Sequence, residues 1–409
     1  MRGVSGFLCL LFGAGLAAMA APINLSVLPA EHKHEVDPVT GAELTYLTTN
    51  PARDVNLYFH ERSWLADGSM ILFVSQREHG GLMGYLTATG ELVALQNANG
   101  ALGGATAANV GPRFYAQQGN DILEITLSIQ ISPNAPPEAS RVTAIDRTIA
   151  TLPPGSGHCS LNENATGEWI SVGMTTPGDG GLPAIYIINI ASGIVRELCR
   201  VPKSPGYQHH VQWSRTNPYL LSFAGDNQRL QVVDIRDGII HNVYKAIENE
   251  LVTHESWWVD DQIIFCGGVN PKPTEDSHVK VLNIYNGQVR IAGAGAWWPA
   301  ATPETITRLN WWHAAGSADG RWIIADNWHG DLMLFEGQTT RPKLLTKDHR
   351  TYGKGDHPHV GWDRTGRQAV FTSHRLGNPD VCVATIPEQW QADNSTPTVT
   401  SAYDAQIRK

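Results

Sequence analysis

One pattern recurs along this sequence: a histidine, a short spacer, a turn of the Asp-Gly kind, and then an apolar or β-branched run. It begins at six positions, which are His60, His158, His210, His254, His313 and His359. Most intervals are about 50 residues long, and the first is about twice that because a degenerate copy without histidine, "GPRFYAQQGNDILEIT" from Gly111, lies within it. Seven units of this length are typical of the four-stranded blades of a β-propeller.

Further strands follow these copies. The segments "LPAIYIINIASGIVREL" and "VKVLNIYNGQVRIAG" have apolar runs on either side of a Ser-Gly or Asn-Gly turn, which indicates the outer strands of a blade. The early strand "AELTYLTT" from Ala42 precedes the first full copy, and we expect it to complete the last blade and close the ring. We therefore predict an all-β fold: a single seven-bladed β-propeller over residues 21–409, with blades centred near residues 60, 110, 158, 210, 254, 313 and 359.

The charge balance excludes one class of partner. The net charge is −9, and no segment concentrates the Lys and Arg residues that a nucleic-acid-binding surface needs. The sequence therefore predicts no nucleic acid partner, and it shows no sign of an obligatory protein partner.

The first 20 residues have the pattern of a secretory signal peptide. Arg2 precedes a short apolar segment, and the small-residue site Ala18-Met19-Ala20 follows it. The apolar segment is too short to span a bilayer comfortably, so we expect no membrane span and a mature protein that is periplasmic or secreted. Four cysteines would remain after cleavage, and they are widely spaced without a Cys-x-x-Cys motif, which favours inert buried thiols over a thiolate metal site.

The repeat brings histidines together. If each one opens the innermost strand of its blade, residues far apart in sequence line one mouth of the central channel. A structural role in blade packing is the alternative, and a lone histidine such as His158 would normally have such a role. "HPH", at His357 and His359, is more specific, because two residues at i and i+2 in an extended segment point to the same side and Pro358 stiffens the backbone between them.

A third imidazole would complete a metal site. His313, in the preceding blade, is the best candidate to join His357 and His359, and three histidines with open positions are typical of a catalytic metal centre. Such a set suits Mn, Zn, Fe, Ni or Co, and the residues alone do not select among them.

Other histidines and one tryptophan are candidates for catalysis and substrate binding. His254 and the pair His209 and His210 are acid–base candidates, because imidazole is the usual group for moving a proton near neutral pH. Trp312 lies beside His313 and is a candidate platform for stacking a sugar ring, although most of the tryptophans are expected to pack between blades.

Several of these segments resemble those of a known protein family. "HPH" followed by "GWDRTGRQAVFTSHRLGNPDV", together with "VTHESWWVDDQIIF" and "HVQWSRTNPYLLSF", is similar to the oligogalacturonate lyases. The resemblance runs from about Asp37 to Pro387. It implies a seven-bladed propeller that degrades short unsaturated pectin fragments by β-elimination.

The resemblance implies a role for each site residue. His313, His357 and His359 match the family's metal-ligating histidines, and His254 matches its base. The family's glutamine ligand falls on Lys354 here, and a protonated lysine cannot bind a metal, so Asp356 or water is expected to replace it. The expected ion is a divalent metal, with manganese first and Zn, Fe, Ni or Co as alternatives. The expected substrate-binding residues are His60, Arg62, His209 and Trp312.

The implied reaction is consistent with these side chains. A divalent cation on the substrate carboxylate would stabilise the charge that develops when His254 removes the C5 proton of a uronate. The C4–O bond would then break to leave a 4,5-unsaturated uronate, with the proton for the leaving oxygen coming from water, His210 or Tyr207. The expected substrate is an acidic oligosaccharide, an oligogalacturonide in the first instance. The alternatives are another uronic-acid glycan, of the ulvan or glucuronan type, and a non-catalytic periplasmic binding propeller.

Overall fold

The computed structural model describes most of the chain, in eleven ranges. These are residues 21–78, 80–96, 100–131, 140–154, 160–175, 183–201, 210–225, 228–269, 277–295, 307–350 and 356–391. The predicted signal peptide, the histidines His158 and His209, Tyr207 and Lys354 lie outside these residues.

The described strands form seven antiparallel sheets, which are the seven blades of a β-propeller. This confirms the predicted fold. From the channel outwards, the first three blades contain β5 (Asp54–Asn56), β6 (Met70–Ser75), β7 (Gly81–Leu86), β8 (Leu92–Ala94) and β2 (Ser26–Leu28); β9 (Gly103–Ala107), β10 (Arg113–Gln118), β11 (Asp121–Gln130), β12 (Arg141–Thr151) and β1 (Ile23–Asn24); β13 (Leu161–Glu163), β14 (Trp169–Thr175), β15 (Pro183–Asn189) and β16 (Val195–Arg200).

The remaining four blades follow in chain order. They contain β17 (Gln212–Trp213), β18 (Leu220–Ala224), β19 (Leu230–Asp234) and β20 (Ile240–Asn242); β21 (Thr253–Trp257), β22 (Gln262–Gly267), β23 (His278–Asn283) and β24 (Val289–Gly293); β25 (Trp311–Gly316), β26 (Trp322–Asn327), β27 (Leu332–Glu336) and β28 (Pro342–Thr346); β29 (Gly361–Trp362), β30 (Gln368–Ser373), β31 (Asp380–Thr385), β4 (Glu43–Tyr46) and β3 (Lys33–Val36). A 3₁₀ turn at Val259–Asp261 and the short helix α1 (Glu388–Gln391) complete the described elements.

The ring closes as the sequence predicts. Strand β4, which lies within "AELTYLTT", pairs antiparallel with β31 near the other end of the chain. The buried side chains of Tyr46 and Cys382 face each other across this pair. Joining the first and last parts of the chain in one blade prevents the ring from opening at a free sheet edge.

The Asp-Gly pairs of the repeat form the turns between the first two strands of the blades. Gly68 and Gly320 both have positive φ, +72° and +74°, a conformation that a residue with a Cβ adopts only at a cost. The aspartate before each glycine accepts a hydrogen bond from the backbone N–H two residues later, as Asp67 does from Ser69 at 3.1 Å. This turn chemistry sets the register of the strand pair that follows.

Apolar residues fill the spaces between blades. The strand Met70–Ser75 is buried at five of its six residues, because both of its faces meet neighbouring blades. Trp257, Trp311 and Trp322 are among the largest fully buried side chains, in agreement with the predicted packing role of most tryptophans. Among the described residues, no helix is long and apolar enough to cross a membrane. The described cysteines, Cys199, Cys266 and Cys382, are free thiols.

Candidate metal and catalytic site at the channel mouth

Three repeat histidines, which lie within or just before the innermost strands, have an unusual backbone conformation. His210, His254 and His359 have φ of +43°, +51° and +48°, in the left-handed region that costs roughly 1–2 kcal/mol for a residue with a side chain. The register of β21 shifts between Thr253 and Ser256, across His254. Such bulges re-aim a side chain, and strained backbone of this kind is concentrated at functional sites.

The innermost strand of the first blade is interrupted by a segment that enters the channel. Asn56 pairs with Phe73, and the next pairing is the bridge between Trp64 and Ile71. Residues 57–62 therefore project from the strand, and pairing resumes where the carbonyl of Ser63 accepts from the N–H of Leu72.

Tyr58 of the projecting segment packs against His60 of the same segment and against histidines of three other blades. The ring centroid of Tyr58 lies 4.8 Å from that of His60, 4.8 Å from His359, 5.8 Å from His210 and 6.3 Å from His313. Burial raises the pKa of Tyr58, so its phenol stays protonated. Aromatic and imidazole rings therefore pack against one another at this level of the channel.

Three side chains form a group suited to a metal ion. Ligand atoms of His313, Asp326 and His357 all lie within 4.8 Å of one another. The Nδ1 atom of His313 lies 3.0 Å from a carboxylate oxygen of Asp326, and the backbone N–H of His313 donates to the same carboxylate at 2.8 Å. Asp326 therefore sets the orientation of His313, as a carboxylate commonly does for a metal-binding imidazole.

The protonation states fit metal binding. Burial lowers the pKa of His357 to about 4 and that of His313 well below its usual value, so both are neutral imidazoles, the form that binds metals. The Nδ1 atom of His357 is buried and has no hydrogen-bond partner among the described residues. A buried nitrogen without a partner is costly, and a bound cation would satisfy it.

His359, another predicted ligand, lies close to the histidines of the group. The ring of His359 lies 4.4 Å from that of His313 and 5.8 Å from that of His357, so the "HPH" pair does face His313. The expectation of a fully extended segment is wrong at His359, because its φ is positive.

Asp356, the expected replacement for the family's glutamine ligand, lies outside the group. Its two carboxylate oxygens accept hydrogen bonds from Arg53 at 2.8 and 2.5 Å. The carboxylate that the structure brings to His313 and His357 is that of Asp326.

His254 adjoins this group without a described hydrogen bond at Nδ1. Its ring lies 4.1 Å from that of His313 and 4.8 Å from that of Trp312, and its buried Nδ1 atom has no partner among the described residues. Burial and the neighbouring His313 lower the pKa of His254 well below its usual value. His254 is therefore neutral, which is the form that a general base needs. Trp312 is half-buried beside it.

A buried ion-pair network lies on the other side of His254. The carboxylate of Glu255 accepts hydrogen bonds from His210 Nδ1 at 3.1 Å and from Arg229 Nε at 2.9 Å. Burial alone would raise the pKa of Glu255, but Arg229 and His210 hold it well below its usual value. Glu255 thus faces away from His254 and fixes His210 of the neighbouring blade.

The predicted substrate-binding residues fall in different places. His60 is buried, and its Nε2 atom bonds to the backbone carbonyl of Glu255 at 2.9 Å, so it forms part of the floor beneath the site. Arg62 lies beyond that floor, 3.7 Å from the carboxylate of Glu163.

Three functional candidates were not predicted. Asp326 has a weak sequence signal, since it is a carboxylate inside the apolar run "WIIAD". Tyr58 and Arg229 have none, because their place beside the histidines depends on how the blades pack.

The fold can now be compared with known proteins. No protein-family model matches the sequence, and no curated protein matches it. A solved oligogalacturonate lyase in complex with manganese is similar over 90% of this chain and 99% of its own, with 16% identity and a TM-score of 0.69. The oligogalacturonate lyase of Vibrio parahaemolyticus is similar over 91% of this chain and 100% of its own, with 15% identity and a TM-score of 0.68. The chain therefore has the propeller fold that these oligogalacturonate lyases share.

Proposed function

We propose that this protein is a polysaccharide lyase that cleaves uronate-containing oligosaccharides, oligogalacturonides in the first instance, by metal-assisted β-elimination. The observation that carries the proposal is the convergence of His313, His357 and Asp326, with His254 beside them. Acid–base chemistry on a carboxylate substrate needs both a cation site and a neutral base, and these residues supply both.

His313, His357 and Asp326 would hold the metal, and His359 is a fourth candidate ligand on the evidence of its position. Manganese is the first expectation, because one of the similar solved lyases is a manganese complex. When bound, a divalent ion supplies Lewis-acid stabilisation of negative charge on the substrate carboxylate.

His254 is the proposed base. Its imidazole is neutral, and Nδ1 is not engaged by any described residue. It would take the C5 proton of the uronate, and the electron pair of that C–H bond would form the C4–C5 double bond as the C4–O bond breaks. His210, held by Glu255, or water would return a proton to the leaving oxygen.

Arg229 and Trp312 would bind the substrate. The Arg229 side chain is 27% exposed although it pairs with Glu255, so it presents a cation from which an acidic sugar can accept hydrogen bonds. Trp312 is half-buried and lies 4.8 Å from His254, in position to stack against a sugar ring next to the base.

A panel assay tests the proposal. Oligogalacturonides and other uronic-acid glycans would be incubated with the full chain, with and without a chelator, and the ultraviolet absorbance of the 4,5-unsaturated product recorded. We expect product from an oligogalacturonide, loss of activity on chelation, and recovery on adding Mn²⁺. If only another uronate glycan gives product, the proposed substrate is wrong and the proposed reaction stands. Absence of product from every uronate would refute the lyase proposal.

Export is part of the same proposal. An oligosaccharide-degrading enzyme with the signal-like first 20 residues would act in the periplasm or outside the cell. Fractionation of cells that express the full chain, followed by N-terminal sequencing, would test this.

A further inference from the structure

A cavity lies at the other end of the channel from the candidate metal site, and His60, in the floor of that site, also lines the cavity. It has a volume of about 200 Å³ and is lined by residues of several blades, among them Arg62, Arg215 and Arg364. His210 precedes the strand β17 and Arg215 follows it, and likewise His359 precedes β29 and Arg364 follows it. Because the innermost strands of a propeller run side by side around its axis, the arginines and the histidines lie at opposite channel ends.

Two of these arginines have no carboxylate partner among the described residues. Arg215 donates to the carbonyl of Gly316 at 2.9 Å, and Arg364 donates to those of Ala108 at 2.6 Å and Trp64 at 3.5 Å. These bonds fix each guanidinium against other blades and use one or two of its five N–H donors. The charge and most of the donors are left for another partner.

Arg62 adds a third cation whose charge is already balanced. It lies 3.7 Å from the buried carboxylate of Glu163 and also donates to the Glu163 backbone carbonyl at 3.4 Å. Arg62 and Glu163 therefore contribute no net charge, and the positive charge of the cavity comes from Arg215 and Arg364.

Other acidic groups on the cavity wall do not cancel that charge in full. The Asp363 carboxylate is used within its own turn, where it accepts hydrogen bonds from the backbone N–H groups of Arg367 at 2.8 Å and Gln368 at 3.0 Å. Burial raises the pKa of Glu61 to about 8, so Glu61 is mostly neutral at pH 7.

The arginines themselves stay charged. Burial and repulsion from Arg62 lower the pKa of both Arg215 and Arg364 to about 10; Arg364 adds to the repulsion on Arg215, and Glu163 offsets part of the effect at Arg364. This is still far above neutral pH. The repulsion indicates that the guanidinium groups face the same space, and an anion between them would relieve it.

The other residues of the cavity wall add no charged group that could bind an anion. Trp213 and Trp362 supply apolar surface. The amide nitrogens of Asn109, Asn162 and Gln212 donate to backbone carbonyls at 2.6, 2.9 and 2.9 Å, which fixes these side chains and uses one of the two N–H donors of each. Arg215 remains exposed, which leaves a path from solvent to the site.

We propose that this cavity binds a small anion, a carboxylate no larger than a single sugar acid or an inorganic oxyanion, between Arg215 and Arg364. Guanidinium groups bind both kinds of oxyanion through paired N–H donors. The site is separate from the candidate metal site, and its occupancy does not require a metal.

Thermal unfolding and calorimetry of the full chain, with chelator present, test the proposal. Sodium acetate, sodium galacturonate, sodium sulfate and sodium phosphate would each be compared with sodium chloride at equal ionic strength. We expect at least one of these anions to raise the melting temperature and to bind at a single site. Preference for galacturonate or for sulfate then separates the organic from the inorganic source. No binding by any of the four anions would refute the proposal.

Variants locate the site. Arg215→Gln and Arg364→Gln should each weaken binding at least tenfold, and Arg364→Lys, which keeps the charge, should weaken it less. Arg236→Gln removes the same charge from a side chain that is 62% exposed and paired with Asp234, and it should bind like the parent protein. Equal affinity in Arg364→Gln and the parent would overturn the assignment. Should a Gln variant fail to fold, iodide-soaked crystals of the parent chain decide: anomalous density between the two arginines is expected, and its absence there contradicts the site.

Discussion

The clearest test of the candidate metal site is Asp326→Asn. Asp326 is fully buried and receives the backbone N–H of His313 at 2.8 Å, its Nδ1 at 3.0 Å and the backbone N–H of His359 at 3.4 Å. Asparagine has the same shape and retains a carbonyl oxygen for the backbone N–H. The change therefore removes the negative charge and the fixed orientation of His313 while keeping the packing.

The expected magnitude follows from binding linkage. Loss of a carboxylate that orients or binds beside a metal weakens metal affinity by roughly 10–100-fold. At a Mn²⁺ concentration 100 times the parent Kd, the parent gains about 2.7 kcal/mol of stability. A variant that binds 100-fold more weakly gains only about 0.4 kcal/mol. For a chain of this size these values correspond to shifts in melting temperature of about 3 °C and about 0.5 °C.

The assay is thermal unfolding with and without Mn²⁺, followed by the lyase assay at low and saturating Mn²⁺. Burial raises the pKa of Asp326, which shows that its charge is costly there, so the metal-free variant should melt close to the parent. Asp37→Asn is the matched control, since Asp37 is another buried carboxylate and it pairs with Thr346 and Arg375 outside the site. An unchanged Mn²⁺-dependent shift in Asp326→Asn would refute the assigned role of this carboxylate.

Variants at three other positions test separate parts of the structure. His254→Gly and His254→Ala should both abolish lyase activity, and the Ala variant should be less stable by about 1 kcal/mol because φ is +51° there; equal urea unfolding midpoints would contradict this. Glu255→Ala leaves Arg229 and His210 without their carboxylate, so the free energy of unfolding should fall by about 3–5 kcal/mol, whereas a change below about 1 kcal/mol would show that the network is not needed. Glu61 has its pKa raised from 4.5 to about 8, so the parent loses stability as pH rises through this window. Glu61→Gln should therefore be more stable than the parent at pH 8 and similar at pH 4, and a stability difference that does not change with pH would argue against a buried neutral Glu61.

The repeat by itself determined the architecture. Turn residues such as Gly68 and apolar runs such as Met70–Ser75 are local signals, and the spacing between their copies predicts the number of blades. The closure by the early strand at Ala42 was also predicted from the sequence, because that strand precedes the first full copy of the repeat. The meeting of His313 with the "HPH" pair followed from the same reasoning, since equivalent positions of neighbouring blades lie side by side.

Only the tertiary structure decided which groups pair between blades. The sequence places Asp356 next to His357, but the folded chain brings Arg53 to it from the far end of the sequence and puts Asp326 at the histidines instead. The left-handed backbone at His254 has no local signal either. The physical reason is that strand and turn formation depend on neighbouring residues, whereas ion pairs and ligand sets depend on distances that exist only once seven blades have closed into a ring. The same closure assembles the arginine cavity from Arg215 and Arg364, which lie in separate blades at the same position of the repeat, five residues after its histidine.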